Sequence, residues 1–166
     1  MLETSTTLEK TAAVSTFSPP FTYVAPVASL HGLADDGDLV YSSVTFTASG
    51  TPSVLAGVLI RWDFDSEAAT TIASSGVPFL AGQSSDGRYV VVTKLTAGTP
   101  FSVNAAGTVE VVDRVSSTSA TVVSSGAADT ISDDGRYVAF DSNDASIDPP
   151  DANGGARDVF QWNRGA

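Results

Sequence analysis

The densest group of oxygen-bearing side chains in this sequence lies between Asp141 and Asp158. Carboxylates and amides alternate there around glycines, and a hard cation such as Ca²⁺ takes about six to eight oxygen ligands. We therefore predict that any bound calcium uses Asp148, Asp151, Asn153 or Asp158. The stretch lacks the spacing and the acidic twelfth position of an EF-hand loop, so a solvated loop with capped turns is the alternative interpretation.

His31 is the single histidine and the one candidate for a ligand-binding side chain outside that stretch. It lies beside Gly32 at the end of a predicted strand, where a residue of a turn is the commoner role. No Gly-x-Ser-x-Gly elbow and no acid-histidine pair accompany it, so a nucleophile-histidine-acid hydrolase is not indicated. We expect a non-enzymatic protein with no catalytic residue and no cofactor other than calcium.

The charge balance limits the partners. The chain has 19 acidic residues against 8 Lys and Arg, for a net charge of -11. That charge repels phosphate backbones and anionic membranes, so we expect no nucleic acid partner. No apolar run approaches the length of a membrane span, and the first residues, Met1 to Thr7, lack the pattern of a signal peptide. Cysteine is absent, which excludes disulfides.

One motif organises the chain. The string SDDGRYVAF at 132–140 occurs again as SSDGRYVVV at 84–92, and a weaker copy, ADDGDLVY, stands at 34–41. An Asp-Gly pair before a run of Val, Tyr and Phe is typical of a tight turn that opens a β-strand. The separation of Gly37 from Gly87 gives a repeat of 50 residues, and Trp62 and Trp162 also hold equivalent places.

We predict one all-β domain over residues 1–166, with repeats near 27–76, 77–126 and 127–166. Each repeat is expected to be a four-stranded antiparallel sheet. The predicted strands are Val27–His31, Asp38–Thr47, Gly57–Phe64 and Ala69–Ser74 in the first repeat; Val77–Ala81, Arg88–Lys94, Thr108–Arg114 and Ser119–Ser124 in the second; and Thr130–Ser132, Arg136–Ser142 and Arg157–Asn163 in the third. Four-stranded units repeated at this length are typical of β-propeller blades.

The stretch from Ser132 to Arg164 resembles the TolB-type, WD40-like propeller repeat, which reads S-x-D-G-R-Y-V-A-F-x-S, then D-x-N-G, then D-V-F-V-x-D. The resemblance is good over 84–125 and faint over 33–76. It implies a mostly exported, mostly non-catalytic scaffold, and therefore an extracellular or periplasmic location. In this alignment Asp38 stands where the later copies carry Arg88 and Arg136.

Three blades cannot close a ring, because propellers need about four to eight. We predict that residues 1–26 donate a strand, with Phe21 to Ala25 of one chain completing the third blade of another. Two chains would then form a six-bladed homodimer. The expected function is a scaffold or binding module for assembly or for a protein, peptide or glycan ligand. The alternative is a fragment or accessory domain of a propeller-containing hydrolase.

Overall fold

A computed structural model describes residues 25–33, 35, 37–47, 53–73, 76–100, 105–147, 149 and 155–165. These residues form ten strands that pair antiparallel, and none of them is helical. The strands are β1 (Ala25–Leu33), β2 (Leu39–Thr47), β3 (Ser53–Asp63), β4 (Ala68–Ala73), β5 (Val77–Gln83), β6 (Tyr89–Leu95), β7 (Gly107–Asp113), β8 (Thr118–Ile131), β9 (Tyr137–Ser142) and β10 (Asp158–Asn163). The all-β, antiparallel prediction is confirmed.

The strands follow one another in simple up-and-down order. A four-stranded sheet has the order β1-β2-β3-β4, and a six-stranded sheet has the order β10-β9-β8-β7-β6-β5. The 14-residue β8 joins two parts of the larger sheet, since Thr118 to Gly126 pair with β7 and Ala127 to Ile131 pair with β9. We call β1–β4 unit 1, β5–β7 with the first part of β8 unit 2, and the rest unit 3.

The three units repeat the same strand register, including a bulge in the first strand. The bulge falls at His31 in unit 1, at Ala81 in unit 2 and at Asp129 in unit 3. The sequence alignment at Asp38 is wrong, however. The pairs that follow the bulge are Leu33 with Leu39, Gln83 with Val90 and Ile131 with Val138. Five residues separate the first pair and six separate the others, so the first turn is one residue shorter and Asp38 takes the place of Tyr89, not of Arg88.

Alternate side chains of each middle strand face different neighbours, because successive side chains of a strand point to opposite faces. We define the forward face of a unit as the one towards the next unit, and the rear face as the opposite one. Val40 on the forward face of unit 1 packs with Val90 and Val92 on the rear face of unit 2. In the same way, Val91 of unit 2 packs in a core with Val138 of unit 3.

A hydrogen-bonded turn fixes this register in units 2 and 3. The Ser84 hydroxyl accepts the main-chain N–H of Tyr89 at 2.9 Å and donates to Asp86 at 2.6 Å. Ser132 makes the same two bonds, to Tyr137 and Asp134, at the same lengths. The turn glycines have positive φ, 64° at Gly87 and 67° at Gly135. The chain can adopt this geometry cheaply only with glycine, because a Cβ disfavours positive φ.

Two strands, β3 and β8, differ from the prediction by more than two residues at a boundary. β3 begins at Ser53 rather than Gly57, because Ser53 and Val54 pair with the end of β2, and Val54 also exchanges main-chain hydrogen bonds with Gly98 and Thr99 in the loop after β6. β8 fuses two predicted strands, because the chain stays extended as it passes from unit 2 to unit 3. Unit 3 has three strands among the described residues. The predicted strand donor falls on residues 1–24, outside the described part, whereas Ala25 belongs to β1. No described helix could cross a membrane.

Gly135→Ala tests the packing of the repeated turn. A Cβ at Gly135 would lie 2.2 Å from the Tyr89 ring at a φ of 67°, whereas a Cβ at Gly37, at a φ of 89°, meets nothing within 4 Å. We expect Gly37→Ala to lower the free energy of unfolding by about 1–2 kcal/mol through backbone strain alone, and Gly135→Ala to cost about 3 kcal/mol or more because of overpacking. Urea titration measures both, and equal losses would contradict the packing of this turn on Tyr89.

Candidate functional site: an inter-unit cleft and two uncovered sheet faces

A cleft of about 680 Å³ opens between unit 1 and unit 2. Its walls come from β3 and β4 on one side and from β7 and the two turns of unit 2 on the other. The lining includes Arg61, Thr71, Ile72, Arg88, Lys94, Val112, Arg114 and Ser117. These side chains combine hydroxyl and charged groups with apolar ones, so the cleft offers a ligand both hydrogen bonds and apolar contacts.

The cleft exists because two bulky residues of the next interface have small counterparts here. Between units 2 and 3, Trp162 packs against the core that contains Tyr89, and the Arg164 guanidinium lies 3.4 Å from the centre of the Tyr89 ring. By strand register, Asp38 replaces Tyr89 and Val112 replaces Trp162 between units 1 and 2. The smaller side chains leave the space that Trp162 and Tyr89 fill in the other interface.

Ion pairs replace aromatic packing at this interface, and the arginines of these pairs line the cleft. Asp38 is 5% exposed, and its carboxylate binds Arg61 directly and lies 3.7 Å from Arg114. On the wall, Arg88 pairs with Asp113 through two hydrogen bonds of 2.8 and 3.1 Å. These bonds, with the main-chain N–H groups of the next turn, hold the pKa of Asp113 well below its usual range.

The cleft therefore presents paired rather than unbalanced charge. Four of the eight Lys and Arg of the chain line it. Each has a carboxylate partner, and the fourth of these pairs joins Lys94 to Glu110 at 2.7 Å. A ligand entering the cleft would meet hydrogen-bonding ion pairs and hydroxyl groups, so the charge of the site does not by itself select an anion.

In the described part of the chain, the forward face of unit 3 is exposed at Val159. Val159 pairs with Asp141 in the same register in which Leu59 pairs with Ser42 and Val109 with Thr93. Leu59 and Val109 are 0% exposed, but Val159 is 76% exposed. Since the three positions are equivalent, Val159 marks a face that a neighbouring sheet covers in the other two units.

A charged group shares this face with Val159. Arg157 pairs with Asp141 at 2.5 Å, and both side chains are about one quarter exposed, at 26% and 23%. Asp129 lies at the adjacent bulge, where unit 2 has Ala81. Partial burial raises the pKa of Asp129, the nearby Asp141 raises it further, and Arg157 opposes both effects.

The rear face of unit 1 is the complementary open surface. Leu39 and Tyr41 are only partly buried there. In the same register, unit 2 has Val90 and Val92, both 0% exposed, and unit 3 has Val138 and Phe140, at 0% and 4%. The described part of the chain thus begins and ends with a sheet face whose internal equivalents are buried.

The predicted ligand residues are not brought together among the described residues. His31 lies at the bulge of β1, and Asp158 pairs with Ser142 in β10. Asp148, Asp151 and Asn153 lie outside the described residues, so the calcium site stays a prediction. Within the described ranges, no group of three or more His, Asp or Glu side chains is placed to hold a metal ion.

Sequence reasoning missed the cleft and the charged group around Asp141. The signal for the cleft was present in the repeat, because Val112 stands where another copy has Trp162. The exchange of Tyr89 for Asp38 was hidden by the one-residue deletion in the first turn. The repeated arginines bind equivalent places with different side chains, as Arg88 binds Asp113 and Arg136 binds the amide oxygen of Asn163 at 3.4 Å.

Comparisons with known proteins give one distant likeness to report. No protein-family profile matches the chain, and no curated protein sequence matches it. Among solved structures, the chain is similar to the crystal structure of TolB from Acinetobacter baumannii, with 13% sequence identity and a TM-score of 0.44. The alignment covers 83% of this chain and 39% of the TolB chain, so this chain spans less than half the length of that protein.

Asp38→Asn tests the ion pairs at the base of the cleft. The amide keeps the shape of the side chain but leaves Arg61 and Arg114 without their shared carboxylate. We expect the free energy of unfolding to fall by about 2–4 kcal/mol, since removing one partner of a buried pair leaves uncompensated charge. Asp65→Asn, at an exposed turn position, is the control and should change stability by less than about 0.5 kcal/mol. Equal effects in urea titrations would contradict the structural role of Asp38.

The repeated turns predict a loss of stability in acid. The Ser84 hydroxyl and then the Arg88 N–H lower the pKa of Asp86 from 3.8, and Ser132 and Arg136 act alike on Asp134. A carboxyl with a lowered pKa in the folded state stabilises the fold above its unfolded pKa, and this contribution disappears as the pH falls below about 3.8.

The double variant Ser84→Ala/Ser132→Ala isolates this effect. It should be less stable than the parent chain at pH 6, and the difference in unfolding free energy should shrink between pH 4 and pH 2. A residual difference at pH 2 is expected, because the main-chain bonds to Tyr89 and Tyr137 are also lost. Ser124→Ala, at an exposed strand position, is the control, and a difference that stays constant with pH would refute the carboxylate contribution.

Proposed function

We propose that this chain is a non-enzymatic, propeller-type scaffold that works by covering its two open sheet faces with further sheets. Its antiparallel units would then be blades of a ring. The resemblance of the Ser132–Arg164 stretch to the TolB-type repeat supports this proposal, and so does the stacking of consecutive units through apolar cores. The same resemblance favours an exported location.

The 76% exposure of Val159 carries the proposal. Its counterparts Leu59 and Val109 are fully buried between units. Burying a valine side chain stabilises a contact by about 1.5–3 kcal/mol. An exposed valine at a position that is core in the other units therefore indicates a surface that a partner covers. The partly exposed Leu39 and Tyr41 at the other end of the described chain support the same function.

The hydrolase alternative has less support. Its chemistry would need an activated nucleophile beside a base, and the sequence offers a single histidine without an acidic partner motif. The inter-unit cleft is lined by arginines already engaged with carboxylates. A binding or assembly role needs no such constellation and uses the surfaces that the repeat leaves open.

Val159→Lys tests the proposed function. A lysine on the forward face of unit 3 should weaken self-association about 10-fold or more, because an apolar contact is replaced by a charge that must be desolvated. Val115→Lys is the matched control, since Val115 is 75% exposed in the turn between β7 and β8. Concentration-dependent light scattering measures both. Association that is absent in the parent chain, or equally affected by the two variants, would overturn the proposal.

A further inference from the structure

Consecutive units are joined by a repeated hydrogen bond from the first strand of one unit to the middle of the unit before it. The main-chain N–H of Leu80 donates to the Ser42 hydroxyl at 3.0 Å. One unit later, the N–H of Ala128 donates to the Thr93 hydroxyl at 2.8 Å. Strand register makes Asp141 the third member of this series of acceptors.

A second repeated hydrogen bond joins the turns. The N–H of Asp35 donates to the carbonyl of Ser85, and the N–H of Ser85 donates to the carbonyl of Asp133, both at 2.9 Å. These three residues hold the same place in successive turns. The series therefore runs in one direction along the chain, each unit donating from its turn to the turn of the next.

Each hydrogen-bond series ends with a donor or acceptor on unit 3 and the matching acceptor or donor on unit 1, at the two open faces. Unit 3 has the acceptor at Asp141 and the turn N–H at Asp133. Unit 1 has the first-strand N–H at Leu30, in the register of Leu80 and Ala128, and the turn carbonyl at Asp35. A unit 1 placed after unit 3, as unit 2 is placed after unit 1, would satisfy both series at once.

We infer that the partner on these faces is a second copy of this chain, bound head to tail. This inference rests on the proposed function and names its partner. Asp141 accepts the N–H of Leu30 of the second copy, and the N–H of Asp133 donates to the carbonyl of Asp35 of the second copy. The same contacts form again where the second copy meets the first.

Two copies are the number that the unit count favours. Propeller rings contain about four to eight units. One copy, with three units among its described residues, is therefore too few, and three copies with nine are too many. Two copies give six units, and a two-fold axis relates the two identical contacts. Closure consumes both open faces of each copy, so the assembly stops at the dimer instead of growing into a filament.

The charged group on the forward face makes this contact weaker than the internal ones. Asp141 binds Arg157 through one carboxylate oxygen, and its other oxygen can accept a further hydrogen bond. Asp129 nevertheless adds a second carboxylate where unit 2 has Ala81. Burying two acids with one guanidinium leaves an excess negative charge, which costs free energy. We therefore expect a dimer that dissociates on dilution.

Engineered cysteines test the head-to-tail contact, because the chain has no cysteine of its own. Asp35→Cys and Asp133→Cys are made as separate single variants and mixed in equal amounts under mild oxidant. The mixture should give a disulfide-linked dimer on a non-reducing gel, and neither single variant alone should do so. The double variant Asp35→Cys/Ser85→Cys is the positive control, because these two residues belong to hydrogen-bonded turns of one chain. It should form an intramolecular disulfide under the same oxidant.

Sedimentation of the unmodified chain decides the stoichiometry independently of the cysteines. Two chains of 17.0 kDa predict about 34 kDa at high concentration. A mass that stays at one chain, or that rises beyond two without a limit, would overturn the inference. Cross-linking of Asp133→Cys to itself would also overturn it, because that result places like ends together.

Substitution at Asp141 separates the hydrogen bond from general surface effects. Asp141→Ser restores the hydroxyl that unit 1 has at this place and should retain the dimer. Asp141→Ala removes the acceptor at both contacts and should raise the dissociation constant about 10-fold or more, with Asp144→Ala as the control. If Val159→Lys blocks association but Asp141→Ala does not and the 35–133 disulfide fails to form, the scaffold function stands and this partner geometry is wrong.

Discussion

The hydroxyl of Ser84, and that of Ser132 one unit later, sets the register of the strand that follows it. Each accepts the main-chain N–H that begins the next strand and so fixes how many residues the turn contains. Turn length sets strand register, and a shift of one residue would send every side chain of the following strand to the opposite face. The apolar cores between units exist because this count is kept.

Unit 1 illustrates how the repeat tolerates a change in that count. Its first turn is one residue shorter, yet Val40 and Val44 still reach the buried face, because each register position of β2 follows Gly37 one residue sooner than the equivalent position of β6 follows Gly87. The residue brought to the position of Tyr89 is then Asp38, which needs Arg61 and Arg114 as partners. An ion-paired cleft on one side of unit 2 and an aromatic core on the other follow from a single deletion and one side-chain exchange.

The amino-acid sequence predicted where the strands lie, but it did not predict which side chains meet between the units. Alternating Val and Tyr residues after each Asp-Gly pair predicted the middle strands to within one residue at their starts, because local propensity and turn chemistry agree there. The alignment of Asp38 with Arg88 failed because glycine spacing alone cannot show where a turn is shortened.

The cleft was missed for a different reason, although the replacement of Trp162 by Val112 is visible in the repeat. Its volume depends on which side chain of one unit lies opposite which side chain of the next, and that pairing is a property of packing rather than of spacing. The hydrogen bonds of Ser42 and Thr93 to the neighbouring unit could not be predicted from the sequence either. The composition of a strand does not tell which of its hydroxyl groups will meet the main chain of another sheet.

The continuity of β8 has a mechanical consequence. Units 2 and 3 share one extended strand, paired with β7 over its first part and with β9 over its second. Separating them would require that strand to bend and part of its ladder to break. Among the described residues, units 1 and 2 belong to separate sheets with no shared strand, and the cleft opens between them. Under heat or applied force, we therefore expect units 2 and 3 to stay together as one rigid body, and unit 1 to move relative to them near Asp38.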